Sequence, residues 1–486
     1  MTVPFTFATS TTPIPLSNLD ANFAAVGDST NITYTPPFTN GVAETLSAKL
    51  AQTVSVQDFG AVGDGITDDT TAFVNAIAAI AANGGGTLYA SKTYNVPNYV
   101  KIITSNFVLD GLGTGKILSS GATYDAVWTD TNLTNITVKN ISIQIPTTNL
   151  RSGGMCLAFN VGCQNIRVSN VNTLGGVVGI WCLSCTNVLV EGCFVNTPKA
   201  DGIHFGQGSK QCKAIGNTVY QAGDDSFATS FDAGYAAGRP SDIVFANNIA
   251  KNSIWGFGVA TYGADRVTIT GNEFYNMALG GVTVTDTSGT GLTEQVLIAN
   301  NHMDTLCRAD VVPLSYWNGT NPEDNPPITS EHMKSALNIN ANYVQCVGNK
   351  ISNVTSATDE SRRGMLIGST AIVSVVANYF FNVNGDGITT AAGGTVSELS
   401  LCGNNFDSVF GVGIRCSSSQ YNTSTSINNN SFGYGQTLGI PYMIQFNYAG
   451  TQNGFIVINN NSSSNGRGTS VPTPSPNIST NNNWPS

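Results

Sequence analysis

Asparagine residues recur along the middle of this 486-residue chain at steps of about 25 to 30 residues, with one larger gap between Asn301 and Asn349. In most of the repeats an apolar pair and then a small or polar residue precede the asparagine, and a hydrophobe lies two residues after it. The recurring positions are Asn217, Asn248, Asn272, Asn301, Asn349, Asn378, Asn404, Asn430 and Asn460. Repeats of this length without a helical pattern predict a solenoid in which each repeat stacks on its neighbour. Stacking like on like would bring the asparagines into one hydrogen-bonded ladder.

A second repeat has nearly the same step and consists of Gly, an aliphatic residue and a run of alternating polarity. Its glycines are Gly154, Gly179, Gly202, Gly258, Gly281, Gly364, Gly387 and Gly413. The alternation indicates short strands, and Gly and Asn tolerate the left-handed backbone that sharp bends need. We therefore predict an all-β fold, a parallel β-helix over residues 51–435. A leucine-rich horseshoe lacks its regular leucines here, and a β-propeller has a longer period, so both are minor alternatives.

Only 10% of the residues are charged, and the net charge is −10. In a parallel stack, like charges would lie about 4.8 Å apart and repel one another, whereas Asn, Ser and Thr ladders avoid that repulsion. The acidic balance argues against a nucleic-acid partner. We expect no membrane insertion, because no apolar stretch is long enough. No secretory signal is visible at the start, so we expect the ten cysteines to be buried free thiols.

The segments outside the regular repeat suggest a domain plan. Residues 1–50 form an N-terminal segment without the repeat. Residues 67–83 predict an Ala-rich amphipathic helix that caps the open end of the solenoid. Residues 304–342 break the period and predict a loop insertion. Residues 436–486 form a C-terminal segment with a Ser/Asn/Pro-rich tail.

Three carboxylates group on neighbouring repeats of a chain that otherwise avoids charge. Asp201 precedes Asp225 by one repeat, and Asp224 adjoins Asp225. Like charges this close cannot all ionise easily, so one pKa should rise. A carboxyl group with a raised pKa can protonate a glycosidic oxygen while an ionised neighbour activates water. Inverting glycoside hydrolases work in this way, with carboxyl groups about 6.5–9.5 Å apart. Strict alternation would turn Asp201 towards the core, so this prediction requires Asp201 to lie at the bend before its strand.

Two other interpretations of the same aspartates stay open. Asp-Gly and Gly-Asp are common bend sequences, and Asp386 repeats the Asp201 pattern without a neighbouring Gly-Asp-Asp. Clustered aspartates also suit Ca²⁺, although we expect no metal and no cofactor. By contrast, Asp64, Asp68 and Asp69 are expected to be structural, because carboxylates at a helix N-terminus bind its free N–H groups.

The sequence DFGAVGDGITDD at residues 58–69 resembles the entry motif of the pectate-lyase/polygalacturonase superfamily of right-handed β-helices, in the variant common in bacteriophage tailspikes. The N-terminal sequences PFTFAT (4–9) and TPIPLSNLDANF (12–23) are similar to the virion-attachment start of phage tail fibre and tailspike proteins. The resemblance implies a homotrimer that degrades a host capsular polysaccharide or exopolysaccharide. It further implies that residues 1–50 attach to a phage tail or baseplate protein, and that residues 436–486 are a trimerisation segment.

The aspartate cluster resembles the polygalacturonase motifs NTDG and GDD. Carried over, the resemblance implies that Asp224 is the general acid, that Asp201 and Asp225 hold and activate water, and that His204 orients substrate. The next family motif, Gly-His-Gly, is replaced by Gly-Phe-Gly at 256–258, and the Arg-x-Lys motif that binds a uronate is missing near 281–284. These departures argue against a pectin substrate.

Aromatic residues outside the core periodicity are candidate sugar platforms, because ring faces stack on the C–H surface of sugars. They are Trp181, Trp255, Tyr262, Tyr316 and Trp317. The leading hypothesis is thus a virion tailspike that acts at the bacterial surface as a glycoside hydrolase. The alternatives are a polysaccharide lyase tailspike and a non-catalytic receptor-binding tail fibre. An extracellular plant-wall hydrolase is disfavoured, because no secretory signal is visible and the family motifs that supply cations are missing.

Overall fold

Short strands separated by tight bends wind the chain into a parallel β-solenoid, as the repeats predict. The computed structural model describes residues 20–22, 24, 28, 30, 32–50, 52–120, 124–146, 151, 153–231, 238–285, 293–310, 331–355, 362–392, 394–417, 420–433, 442–446, 455–463, 468–470 and 478–483. Three parallel sheets run along the solenoid, and each turn of chain contributes a strand to them.

Sheet 1 positions the candidate site. Its 14 strands are Val100–Ile102, Val127–Thr129, Leu157–Phe159, Ile180–Leu183, Ile203–Gly206, Phe227–Ser230, Val259–Tyr262, Val282–Thr285, Ser335–Ile339, Arg363–Ile367, Ile388–Thr390, Ile414–Cys416, Tyr442–Phe446 and Gly468–Ser470. Each strand pairs in parallel with the next, so equivalent residues of successive turns lie one above another.

Sheets 2 and 3 form the other sides, and four long strands take part in both: Phe107–Leu118, Thr134–Gln144, Gln164–Leu174 and Phe455–Ser463. The other strands of sheet 2 are Thr53–Ser55, Gly86–Tyr89, Thr186–Glu191, Lys210–Ile215, Ser241–Ala246, Asp265–Thr270, Thr293–Ala299, Ala341–Val347, Thr370–Val376, Thr395–Cys402, Gln420–Asn428 and Ile478–Asn483. Those of sheet 3 are Asp64–Asp68, Thr93–Asn95, Phe194–Asn196, Thr218–Tyr220, Ile249–Lys251, Glu273–Tyr275, His302–Leu306, Lys350–Val354, Tyr379–Val383, Asn405–Val409 and Ser431–Phe432.

Few elements lie outside the three sheets. Thr33–Tyr34 and Glu44–Thr45 pair in antiparallel. Helices that the structure describes in full are Leu46–Leu50 and Thr70–Ala82, and the described 3₁₀ helices are Val56–Phe59 and Glu331–Lys334. Among the described residues, no helix is long and apolar enough to cross a membrane.

Inward-facing apolar residues from Val56 to Ile458 form one continuous core. Stacking of like on like is clearest in Phe380, Phe406 and Phe432, whose rings lie nearly parallel with centroids 5.0 Å apart. The ten cysteines are free, and all except Cys402 are buried. Burial raises the pKa of Cys156 to about 12. The prediction of buried free thiols is confirmed for nine of the ten.

The predicted asparagine ladder is confirmed. The Nδ2–H group of each member donates to the Oδ1 atom of the next at 2.9–3.0 Å. Each amide also donates to a strand carbonyl, as Asn272 does to Phe245 at 2.9 Å. The last described member is Asn461 and not the predicted Asn460, because Asn461 is the residue that meets Asn430 in register.

All three aspartates near the N-terminal helix bind backbone N–H groups, but the predicted binding to the helix N-terminus is confirmed for Asp68 alone. Asp64 accepts the N–H groups of the bend that follows it, and Asp68 accepts the first helical N–H group, that of Thr70. Asp69 binds the N–H groups of Val62 and Gly63 instead of the helix. The helix begins at Thr70 and not at residue 67, because the chain up to Asp68 still pairs in sheet 3.

Two predicted boundaries differ from the strand pairing. Parallel pairing continues past residue 435 to Asn483. The predicted insertion at 304–342 is shorter, because His302–Leu306 and Ser335–Ile339 are regular strands of sheets 3 and 1. Residues 311–330, which include Tyr316 and Trp317, lie outside the described residues. The capping role of the helix and the roles of residues 1–50 and 436–486 stay predictions.

Candidate active site

Asp201 and Asp225 occupy the same position on successive turns of sheet 1. Each lies two residues before a strand, and the first residues of these strands, Ile203 and Phe227, are register partners. The Oδ1 atom of Asp201 accepts the N–H group of Asp225 at 3.1 Å, and the Oδ1 atom of Asp225 accepts that of Phe257 at 2.8 Å. The carboxylates therefore lie at the bend, outside the alternation of the strand, as the prediction required.

Asp224 is fixed by closely packed glycines in the bends around it. A Cβ atom at position 223 would lie 2.3 Å from the carbonyl oxygen of Lys199. At position 256, where φ is +77°, it would lie 2.2 Å from the carbonyl carbon of Asp224. Only glycine fits both positions, and this contact between neighbouring turns places Asp224 beside the Asp201–Asp225 pair.

The three carboxylates share one small space. One oxygen from each lies within 4.8 Å of the others. The Asp224 side chain is 15% exposed and forms an ion pair with the guanidinium group of Arg151. Burial and then the charge of Asp201 raise the pKa of Asp224 to about 7, although Arg151 opposes the shift. Burial and the other two carboxylates also raise the pKa of Asp225 well above its usual range.

His204 joins the cluster through its own ring nitrogens. It lies on the outward face of sheet 1, since its neighbours Ile203 and Phe205 belong to the core. Its Nδ1 atom is 2.7 Å from Asp201 Oδ2, and its Nε2 atom is 2.9 Å from Ser230 Oγ. Asp201 thus accepts one hydrogen bond on Oδ1 and contacts the imidazole through Oδ2.

The predicted aromatic platforms have three different environments. Trp181 pairs with His204 in register and covers its ring, with centroids 4.5 Å apart at 49°. Trp181 is half-buried, so part of the indole is open to a ligand. Tyr262 is also half-buried, and its hydroxyl donates to Asp225 Oδ2 at 3.2 Å. Burial and then the charge of Asp225 raise the pKa of the Tyr262 phenol well above its usual range, so it stays a donor.

The prediction that Trp255 is a sugar platform is wrong. Its side chain is only 2% exposed and packs in a small apolar cluster with Phe257 and Leu279 outside the main core. The sequence shows that Trp255 departs from the core periodicity. The sequence does not show that residues of neighbouring turns pack into a second apolar cluster around Trp255.

Two residues of the site were missed by the sequence analysis. Arg151 lies 73 residues before its partner Asp224, so no local spacing connects them. Ser230 could have been found, because it ends the strand that pairs with the strand of His204. The remaining predicted residues, Asp201, Asp224, Asp225, His204, Trp181 and Tyr262, are brought together.

The carboxyl spacing is closer than the predicted 6.5–9.5 Å of a general inverting hydrolase. The nearest oxygens lie within 4.8 Å because the residues come from adjacent turns of one sheet. Oxygens of this kind are also the ligands that Ca²⁺ takes. In the described part of the chain, however, the cation beside Asp224 is the guanidinium group of Arg151.

Comparison with known proteins agrees with the fold. Residues 126–303 match the family model described as a right-handed β-helix region. A tailspike protein of E. coli bacteriophage HK620 is 14% identical, with a TM-score of 0.60, and the match covers 93% of this chain and 84% of that chain. The A-module of mannuronan C-5 epimerase from Azotobacter vinelandii is 17% identical, with a TM-score of 0.57, over 89% of this chain and 100% of that chain.

A third similar structure is the catalytic domain of a GH87 α-1,3-glucanase in complex with nigerose. It is 16% identical, with a TM-score of 0.53, and the match covers 87% of this chain and 68% of that chain. At these identities the likeness concerns the fold. The predicted right-handed parallel β-helix is thereby confirmed, and tailspikes and carbohydrate-active enzymes are among the proteins that share it.

Proposed function

We propose that this chain is a phage tailspike that binds and depolymerises a capsular or exopolysaccharide of its bacterial host by glycosidic hydrolysis. The observation that carries the proposal is the Asp224 carboxyl, whose pKa is raised to about 7 beside two further carboxylates. A general acid works best when its pKa lies near the working pH. The tailspike and the glucanase that share the fold support a polysaccharide as substrate.

In this mechanism Asp224 donates its proton to the glycosidic oxygen as the bond to the anomeric carbon breaks. Asp201 and Asp225 hold the attacking water, and the ionised one of the two accepts its proton as the water oxygen bonds to the anomeric carbon. Both are oriented for this role, because each is fixed through Oδ1 by an N–H group of the next turn. The remaining oxygen of Asp225 is held by the Tyr262 hydroxyl, and Trp181 offers its indole to a sugar ring.

The biological setting follows from the N-terminal resemblance. We expect a homotrimer on the virion, attached to a tail or baseplate protein through residues 1–50 and acting at the bacterial surface. Residues 436–486 would contribute to trimerisation. Light scattering of the purified chain should then give three times the chain mass of 50.8 kDa.

Single substitutions test the acid–base assignment. Asp224→Asn should lower the release of reducing ends by about a hundredfold or more, the usual contribution of a general acid. Asp201→Asn and Asp225→Asn should also lose activity. Asp386→Asn is the matched control, because Asp386 accepts the N–H group of Val412 in the same way but lies in an ion pair with Arg415. Full activity of all three site variants on a capsule that the wild type shortens would refute the assignment.

A polysaccharide lyase is the second candidate, and Arg151 is the observation that favours it. A lyase must neutralise a uronate carboxylate, and Arg151 supplies a cation at the site where the sequence motifs showed none. A lyase would produce unsaturated uronates that absorb in the ultraviolet, whereas hydrolysis would not. A receptor-binding fibre without catalysis would bind host cells and leave the polymer length unchanged.

A further inference from the structure

Three side chains at the site form a continuous hydrogen-bonded chain whose serine hydroxyl has no role in the proposed glycosidic hydrolysis. Asp201 Oδ2 lies 2.7 Å from His204 Nδ1, and His204 Nε2 lies 2.9 Å from Ser230 Oγ. With the proton on Nδ1, the imidazole donates to Asp201 and accepts the hydroxyl proton of Ser230. This order of acid, imidazole and hydroxyl, at these distances, is that of a nucleophilic serine.

The surroundings hold the chain in one geometry. Asp201 is fixed by the N–H group of Asp225, and Trp181 covers one face of the imidazole. The His204 and Asp201 side chains are only 9% and 13% exposed. Ser230 is half-buried and ends its strand, so the hydroxyl lies at the solvent end of the chain.

An internal comparison separates this arrangement from ordinary bend chemistry. Asp386 occupies the bend equivalent to that of Asp201, and Thr389 occupies the position equivalent to that of His204. There the Oδ2 atom of the aspartate accepts the threonine hydroxyl at 3.0 Å and also binds Arg415. An aspartate at this bend therefore needs no histidine partner, and the imidazole at position 204 is an addition.

We propose that Ser230 is the nucleophile of a second activity, the removal of O-acyl groups from the sugar polymer. This inference goes beyond the depolymerisation proposed above and shares Asp201, His204 and Tyr262 with it. The substrate class is an ester of a small carboxylic acid, such as acetate, with a sugar hydroxyl.

The reaction balances with the groups present. Ser230 Oγ forms a bond to the acyl carbon while its proton passes to His204 Nε2. The bond between the acyl carbon and the sugar oxygen then breaks, and that oxygen takes the proton from His204. Water repeats the sequence on the acyl-serine, releasing the carboxylic acid and restoring the Ser230 hydroxyl. Asp201 accepts the hydrogen bond of Nδ1–H throughout and stabilises the imidazolium.

Tyr262 is placed to stabilise the oxyanion of both steps. It is the register partner of Ser230 on the next strand, so the two side chains project from the same face. Its single hydroxyl proton is donated to Asp225 Oδ2 at 3.2 Å, so the hydroxyl must turn from Asp225 to the oxyanion as each intermediate forms. Tyrosine hydroxyls are among the donors that serve oxyanion holes.

The test measures acyl release and chain shortening on the same polymer. Full-length wild type and Ser230→Ala are incubated with O-acetylated capsular polysaccharide, and free acetate and reducing ends are measured. Ser230→Ala should lose acetate release by about a thousandfold or more, as triad serines do. Its depolymerisation should change by at most about tenfold, the effect of one neutral hydrogen bond. Thr285→Ala is the control, because Thr285 is in the same outward row two strands on.

Labelling with a fluorophosphonate probe provides an independent readout. Mass spectrometry should find the probe on Ser230 in the wild type and in Asp224→Asn, but not in His204→Asn. Wild-type protein that shortens the polymer without releasing acetate or reacting with the probe would overturn the inference and leave the depolymerase proposal intact. Acetate release that persists in Ser230→Ala would also overturn it. Loss of depolymerisation in Asp224→Asn with acetate release retained would support both proposals.

Discussion

The Asp224–Arg151 ion pair makes the proposed acid sensitive to a single charge. Asp224 must be protonated to act, so kcat/KM should fall as the pH rises through about 7. Arg151→Gln removes a cation that favours the ionised form, so the pKa of Asp224 should rise further. The alkaline limb of the pH profile should then move to higher pH by on the order of one unit. Arg167→Gln, which breaks an exposed pair with Glu191, is the control and should leave the limb in place.

The same carboxyl should make folding stability depend on pH. Its folded pKa of about 7 lies above the ordinary 3.8, so the stability it contributes is present below pH 3.8 and is lost as the pH rises through 7. Asn cannot ionise. Asp224→Asn should therefore gain stability relative to the wild type between pH 4 and pH 8, by at most about 4 kcal/mol. Thermal denaturation at the two pH values measures the gain.

Asp242→Asn is the opposite case and checks the sign of that effect. The hydrogen bonds and charge of Arg266 lower the pKa of Asp242. The stability that Asp242 contributes is therefore lost as the pH falls. The free energy of unfolding of Asp242→Asn, relative to that of the wild type, should accordingly be highest at low pH. Equal differences between Asp224→Asn and the wild type at pH 4 and pH 8 would contradict the raised pKa.

The sequence predicted the carboxylates and missed their partners for one physical reason. A repeat of known length brings residues one step apart together, which is how Asp201 and Asp225 were paired. Arg151 reaches Asp224 across several turns, and no single step links them. The repeat pattern also does not show which residues outside the main core are buried. Trp255 breaks the alternation as an exposed aromatic would, yet it packs with Phe257 in a second apolar cluster.

Substitution of an asparagine in the ladder should lower the free energy of unfolding more, per atom removed, than substitution in any other element. Asn272 is buried, donates to Asn301 Oδ1 and Phe245 O, and accepts the N–H and Nδ2–H groups of Asn248. Asn272→Ala would leave several buried groups without partners, at about 1–3 kcal/mol each. We expect a loss of about 3 kcal/mol or more in the free energy of unfolding, measured by denaturant titration.

A second, solvated ladder gives the control for that loss. Asn165 lies between Asn135 and Asn187 on the surface, where water can replace its hydrogen bonds. Its φ of 55° also suits glycine. Asn165→Gly should therefore change the free energy of unfolding by less than about 1 kcal/mol. A loss in Asn272→Ala no larger than that in Asn165→Gly would show that the buried ladder does not stabilise the fold.

Element boundaries were the weaker part of the sequence prediction, because register decides them. Asp64–Asp68 reads as the approach to a helix, yet it pairs with Thr93–Asn95 in sheet 3, so the helix begins at Thr70. The repeat signal fades after residue 435. Parallel pairing nevertheless continues, because a strand needs only the free edge of the preceding strand to form backbone hydrogen bonds, and no recognisable sequence motif.

Over the whole molecule, parallel register explains why only 10% of the residues are charged. Outward rows such as Ser374, Ser400 and Ser426 stack like on like without repulsion. Among the described residues, two pairs of acidic side chains depart from this pattern, Asp201 over Asp225 and Asp265 over Glu294. Asp265 lies 2.8 Å from Arg239, and burial raises its pKa. The composition shows that charged residues are few, whereas only the strand register shows which charged side chains lie next to one another.

Such a molecule should be nearly indifferent to salt. Its stability rests on a continuous apolar core and on neutral amide ladders, and exposed ion pairs contribute about 0–1 kcal/mol each. Raising NaCl from about 0.05 to 1 M shortens the Debye length from above 10 Å to about 3 Å and screens those pairs. We expect Tm to change by no more than about 2 °C, since 1 kcal/mol corresponds to about 2–4 °C even in smaller domains. A fall of more than about 5 °C, measured calorimetrically at constant pH, would mean that ion pairs carry a larger share of the stability than this register allows.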